Sequence, residues 1–291
     1  MAFTLRLKVL IILPILFFIT FVNYSVATEK ASVESIKPAL WKVEHQGTTS
    51  YLLGSIHIGK SSWYPLPSYI TDAFDTSEKI VVELDALKHS AMMSQQMMLS
   101  EGQTLKGSLS PETYKQVKDY LSLNGMSIAT FNQFKPWAVA TVLSILPYLK
   151  SGLDPALGID AQLITRAKNT SMEVIELEKA QFQIDLLSSV FSDEKMLIEL
   201  LEQPEEEVQQ LINFWATGNM NKINELMQQQ MSKSQRELML TARNVDWVKK
   251  LDVLFKSKTS HFIVVGAAHL AGPDGVPTLL NKNGFKITRI K

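Results

Sequence analysis

Residues 261–269 read His261-Phe262-Ile263-Val264-Val265-Gly266-Ala267-Ala268-His269. Phe262 to Val265 is a continuous apolar run closed by a glycine, the pattern of a strand covered on both faces. Strands of that kind sit inside a sheet sandwiched by helices, so the expected class is α/β. Immediately beyond the strand, Gly266 and His269 make a G-x-x-H segment. A glycine there allows a sharp turn and a close approach of the backbone to a ligand.

Working outward, the same arrangement occurs near the other end of the chain. Ser50 to Gly54 reads as a strand, and Gly54-Ser55-Ile56-His57 follows it. Trp41 to Glu44 is a strand before it, with the turn-rich His45-Gln46-Gly47-Thr48-Thr49 between the two. Pro67 to Asp75 has helical spacing and Lys79 to Leu84 is a short apolar strand. Strand, helix, strand in that order predicts a βαβ crossover and a parallel pair. Met172 to Leu177 is a further strand, and Phe285 to Ile290 alternates as a closing edge strand. Between them the pattern is helical. Ser110-Pro111-Glu112 is a helix start, with a capping hydroxyl, proline at the first position and an acid facing the dipole. Pro136 opens an apolar helix expected to run to Pro147. Gly158 to Lys168, Ala180 to Phe255 (broken near Pro204 and Gly218-Asn219) and Gly275 to Asn283 complete the helices. The plan is α/β with some α+β character: a mostly parallel central sheet, flanking helices, and helical insertions at about 86–152 and 180–255, in one domain over 28–291.

The residues just past each inner strand are where an open α/β sheet binds its ligands. They are His57, Glu83 with Asp85, Glu176 with Glu178, and His269. Imidazole and carboxylate together suit Zn, Mn, Co or Fe(II), and a bound cation of that kind polarises a carbonyl or supplies hydroxide at neutral pH. Glu83 ends an apolar run, where an unpaired carboxylate costs several kcal/mol, so it needs a metal, an arginine or a hydrogen-bond cage. Asp85 is better explained as a cap than as a ligand. Glu176 and Glu178 read as solvated, with Glu178 capping the next helix. His45, His89 and His261 receive no role. Arg243-Asn244 lies on a helix with Trp247 on the same side; the arginine either meets a substrate or oxyanion charge or tethers its helix to one of the strand-end acids. Met93 and Met97, in a methionine-rich stretch that otherwise suggests Cu(I), have the spacing of core residues.

Arg6 and Lys8 precede an apolar run from Val9 to Val22, and Ser25-Val26-Ala27 follows. This is the layout of a signal peptide over 1–27, cleaved after Ala27, which places the mature chain in the periplasm or outside the cell. The membrane is a partner only if that segment stays uncleaved. With no cysteine, neither disulfides nor lipoprotein attachment is available. Lys+Arg 29 against Asp+Glu 29 forces no basic face and argues against nucleic acid.

Gly54-Ser-Ile-His57, Glu83 in Val82-Glu83-Leu84-Asp85, Gly158-Ile-Asp160, Leu177-Glu178, Arg243-Asn244-x-x-Trp247 and Gly266-Ala-Ala-His269-Leu-Ala-Gly-Pro-Asp-Gly275 resemble, in that order, the TraB/GumN family, of which the Tiki metal-dependent proteases look like distant members. The resemblance spans about Leu40 to Ile290. It implies a helix-flanked sheet, a metal site at His57, Glu83 and His269, and a further motif at Arg243 and Asn244. The first motif has serine where many relatives have threonine, which keeps the hydroxyl. The resulting expectation is an exported metal-dependent hydrolase, most simply a peptidase, acting on a peptide or other small extracytoplasmic substrate. Its divalent cation (Mn, Co or Zn) is held by His57, Glu83 and His269, and Glu83, Arg243 and Asn244 are the catalytic candidates. The competing expectation is a binding protein that sequesters a peptide or saccharide without turnover.

Overall fold

Lys79–Val82 and His261–Gly266 are too apolar to leave either face in water, and the chain satisfies them by placing them side by side at the centre of a sheet. The computed structural model describes residues 35–202 and 205–291; the signal-peptide segment lies outside them. Six strands, β1 (Leu40–His45), β2 (Thr48–Ser55), β3 (Lys79–Val82), β4 (Glu173–Glu176), β5 (His261–Gly266) and β6 (Lys286–Arg289), form one sheet in the order β4-β3-β5-β2-β1-β6. The pairs β4·β3, β3·β5 and β5·β2 are parallel, while β2·β1 and β1·β6 are antiparallel. The sheet is therefore mixed and mostly parallel, with helices on both sides, as expected.

Two details differ from the sequence reading. β2 and β3 run parallel but do not pair, because β5, arriving some 180 residues later, inserts between them. Sequence adjacency favours neighbouring strands only as a tendency, and the most apolar strand takes the most covered position. The helix that opens at Pro136 also runs through Pro147 to Lys150. Proline in the last turn costs the helix one amide donor without ending it, and Ser151 Oγ donates to the Pro147 carbonyl at 3.0 Å just beyond.

Alternation along β5 divides the interior into two cores. Phe262 and Val264 point to one face with Leu53, Ile80 and Val82, under the apolar helix Pro136–Lys150 and its neighbours. Ile263 and Val265 point to the other with Leu52 and Val81, under Trp247, Val248 and Leu251 of the helix Ala242–Phe255 and Leu280 of the helix Val276–Lys282. This period of two, buried on both sides, is what the HFIVVG run encodes. Met93 and Met97 are buried in the first core, as their spacing implied. Among the described residues no helix is long and apolar enough to cross a membrane.

Candidate metal centre

The parallel register aligns the carboxyl ends of the inner strands: Ser55 stands opposite Gly266, Val264 opposite Val82, and Val82 opposite Glu176. The chain leaving each strand therefore projects its next residues into one region. The Gly266 backbone N–H donates to Glu83 Oε1 at 2.7 Å. A Cβ placed on Gly266 would lie 3.3 Å from Glu83 Oε1, 3.3 Å from His57 Nε2 and 3.7 Å from His269 Cδ2. The absent side chain of Gly266 thus marks where His57, Glu83 and His269 meet. All three are buried, at 5%, 2% and 0% exposure.

His57 is positioned by a loop laced to its own. Ile159 N donates to the Ile56 carbonyl at 3.0 Å, and Gly59 and Asp154 exchange backbone bonds at 2.9 and 2.7 Å. That lacing sets Asp160 Oδ1 3.0 Å from His57 Nδ1. The contact is an ion pair off the axis of a hydrogen bond, and both His57 nitrogens lack an aligned partner. Burial alone would lower the His57 imidazolium pKa, but the charges of Asp160 and Glu83 outweigh it and raise it to about 9. A Cβ on Gly158 would sit 2.5 Å from the His57 carbonyl oxygen. Gly158→Ala is accordingly expected to destabilise the chain by about 1–3 kcal/mol in urea unfolding, whereas Gly107→Ala, whose Cβ meets only Thr104 Oγ1 at 3.4 Å, should be near neutral. Equal unfolding midpoints for the two variants would contradict the lacing.

Arg243 lies at the heart of the cluster. On the helix Ala242–Phe255, directly after the π-turn Glu237–Thr241, its Nε donates to Glu178 Oε1 at 2.6 Å, and its Nη2 to Glu178 Oε2 at 2.9 Å and to Glu83 Oε2 at 2.8 Å. Its Nη1 lies 3.0 Å from the Met239 carbonyl and 3.1 Å from His269 Nε2. A guanidinium can only donate, so Nε2 of His269 accepts and the ring proton is on Nδ1. That proton goes to Asn244 Oδ1 at 2.6 Å, and Asn244 Nδ2 donates to the Asp274 carbonyl at 2.8 Å, which fixes the amide's orientation. Burial, reinforced by the Arg243 charge, holds His269 neutral, well below the usual histidine pKa. Trp247, one helical turn from Arg243, packs on the His269 ring at 4.3 Å between centroids and donates to Glu178 Oε1 at 2.9 Å.

Two expectations, that Glu178 and Glu176 are solvated, are corrected here. Glu178 is neither solvated nor a helix cap: its side chain is buried and held by Arg243 and Trp247. Glu176 accepts from the Asp85 backbone and from Lys88, and pairs with His89 at 2.8 Å, so neither Glu176 nor His89 is free. His261 is buried beside Phe255 at the start of β5. Asp85 is occupied elsewhere, accepting from Lys88 N at 3.2 Å as a turn cap does and pairing with Lys168 at 2.6 Å. Asp160, noticed only as part of a motif, belongs to the site.

Among the described residues, no three imidazole, carboxylate or thiolate groups surround one point as a metal cage would. His57 Nε2 and Glu83 Oε1 are 3.9 Å apart, somewhat wider than the ~3.4 Å between two ligands of a tetrahedral ion with bonds of ~2.1 Å, and Arg243 faces the nitrogen that His269 would offer. Two features of the donor set are nevertheless of the kind a divalent cation uses. Nε2 of His57 is a buried nitrogen with no aligned partner. Glu83 and Glu178 share the single guanidinium of Arg243 while Asp160 lies against His57, so once His57 gives up its proton the cluster has a formal charge of −3 + 1 = −2. A dication cancels it, provided Arg243 Nη1 releases His269.

Glycines, histidines, acids and the Arg-Asn-x-x-Trp helix are drawn together from positions 54 to 275, and the comparisons match over the same span. The profile of the TraB/PrgY/gumN family matches residues 39–289. The "Uncharacterized protein YbaP" of Shigella flexneri is 26% identical over 235 residues, covering 79% of this chain and 87% of its own. Its namesake in Escherichia coli (strain K12) is 26% identical over 234 residues with the same coverage. An "Uncharacterized protein" of Treponema pallidum (strain Nichols) is 23% identical over 188 residues, 62% of this chain and 56% of its own. No solved structure matches the chain. With its motifs lying within the 39–289 match, this chain belongs to the TraB/PrgY/gumN family.

Proposed function

We propose that the protein is an exported metal-dependent hydrolase, most simply a peptidase, that works with Mn, Co or Zn at His57, Glu83 and His269. The observation that supports this reading is the buried Nε2 of His57, without an aligned partner beside Glu83, in a cluster where carboxylates outnumber the one guanidinium. A cation there would polarise a scissile carbonyl and lower the pKa of a water. The chain's own residues have separable tasks. Asp160 holds His57 by its Nδ1, which leaves Nε2 facing Gly266. Asn244 keeps the Nδ1 proton on His269, so that its Nε2 presents a lone pair. Glu83, whose pKa burial raises against the pull of Arg243 and His57, is suited to take and return a proton. Arg243, freed from His269, is placed to meet a developing oxyanion.

The test is hydrolysis of a mixed peptide pool by the mature protein. Chelation should abolish cleavage, and Mn, Co or Zn should restore it. Cleavage that persists in chelator would overturn the metal reading. A second reading has one observation of its own. Arg243 already occupies His269 Nε2, as it would in a protein that sequesters a peptide or saccharide with no metal and no turnover. That reading expects saturable binding, unchanged by chelator, with no product.

A further inference from the structure

Two recesses flank the segment that follows β5. One has Leu211, Trp215, Ile223 and Met227 around a floor of Gly266 and Ala267, with Ser55 at its side. The other is polar, with Asn224, Gln228, Arg236, Thr241 and Asn244. They share Met227 and Ala268. Ala268 precedes His269, and Asn244 is the residue that holds it. The two recesses are therefore neighbours on the His269 side of the cluster, the apolar one beside the polar one.

Arg236 is the unusual residue in the polar one. Among the described arginines, Arg166 meets Asp75 at 2.6 Å, Arg243 meets Glu83 at 2.8 Å, and Arg289 meets the Gly218 carbonyl at 2.8 Å. The Arg236 side chain has no ion pair or hydrogen bond to any described residue, and its Nε is buried without a partner. It stands immediately before the π-turn Glu237–Thr241, a distortion frequent at functional sites. In the apolar recess the Ser55 hydroxyl is likewise buried and unpartnered. A guanidinium fork with an unused donor matches a planar carboxylate. Asp274 on the rim of the polar recess disfavours a dianion such as phosphate. The aliphatic and indole lining of the apolar recess suits a hydrocarbon side chain, which a sugar acid lacks.

We propose that these neighbouring recesses together bind the C-terminal end of a short peptide, with the terminal carboxylate on Arg236, an aliphatic side chain in the recess beside Trp215, and the Ser55 hydroxyl on the peptide backbone. The word peptide rests on the peptidase reading; the carboxylate anchor rests on Arg236.

The experiment uses the mature full-length chain and an N-acetylated tetrapeptide library prepared twice, as C-terminal acids and as C-terminal amides. Retention on ultrafiltration is read by mass spectrometry. The wild type should hold acids about tenfold more tightly than amides, as expected for a charge-assisted bidentate contact. Arg236→Gln should lose that preference, Arg236→Lys should keep part of it, and Arg166→Gln, at a site with its own partner, should keep all of it. Equal retention of acids and amides, a preference that survives in Arg236→Gln, retention of neither library, or equal displacement by glucuronate would overturn the proposal. Acid-selective binding without cleavage in the presence of metal would instead sink the peptidase reading and leave the anchor standing. Cleavage without acid preference would do the reverse.

Discussion

Arg243→Met should lower the stability of the metal-free chain by about 3–5 kcal/mol. Removing one partner of a buried ion pair leaves an uncompensated charge, and that is the usual cost. Here two carboxylates lose the same partner. Glu83 and Glu178 have side chains 2% and 4% exposed, and both bond to the one guanidinium. Arg243→Lys should recover only part of the loss, since a single ammonium cannot hold two carboxylates in the geometry of a fork. Glu178→Gln should be costly alone but add little to Arg243→Met, giving a coupling of about 1–3 kcal/mol in a double-mutant cycle. Urea unfolding in chelator is the measurement, because a bound cation would itself stabilise the fold by mass action. A loss under about 1 kcal/mol for Arg243→Met would mean that the charges are compensated in another way.

Asn244→Ala should weaken divalent-cation binding by about 10–100-fold, the usual effect of losing the group that orients a ligating histidine. Asn244 reaches His269 through Nδ1 and not through Nε2, the nitrogen that would ligate. It accepts the His269 Nδ1 proton at 2.6 Å while its amide is pinned by the Asp274 carbonyl. Without it the proton is free to move to Nε2 and close the lone pair. Asn244→Asp keeps an acceptor oxygen and should retain more affinity than Asn244→Ala. Titration calorimetry with Mn, Co and Zn would decide between them; identical affinities in the wild type and Asn244→Ala would remove His269 from the ligand set.

Much of the architecture is written locally. The HFIVVG run and the alternation it imposes on two cores are properties of six consecutive residues, and the Ser110-Pro111-Glu112 start appears as a helix from Pro111 with the Ser110 hydroxyl accepting from Thr113 N. That His57, Glu83 and His269 come together was likewise legible, because each lies just past the end of an apolar strand and parallel register carries strand ends to one edge. What was not legible depends on distant partners. Nothing near Glu178 announces that a guanidinium 65 residues later will cover it, so a strand-end acid reads as solvated. Asp160 reaches His57 only because two loops about a hundred residues apart are laced by backbone bonds. The place of β5 between β2 and β3 is decided by which strand most needs covering, a comparison that adjacency along the chain does not make. Arg236 was overlooked because its distinguishing feature is a missing partner.

The most direct test of the proposed metal site is the metal content of the purified protein after loading with Mn, Co or Zn and desalting. About one divalent ion per chain is expected for the wild type, and well below that for His57→Ala and for Glu83→Gln, each of which removes a ligand. The same content in all three proteins, or none in the wild type, would contradict the account.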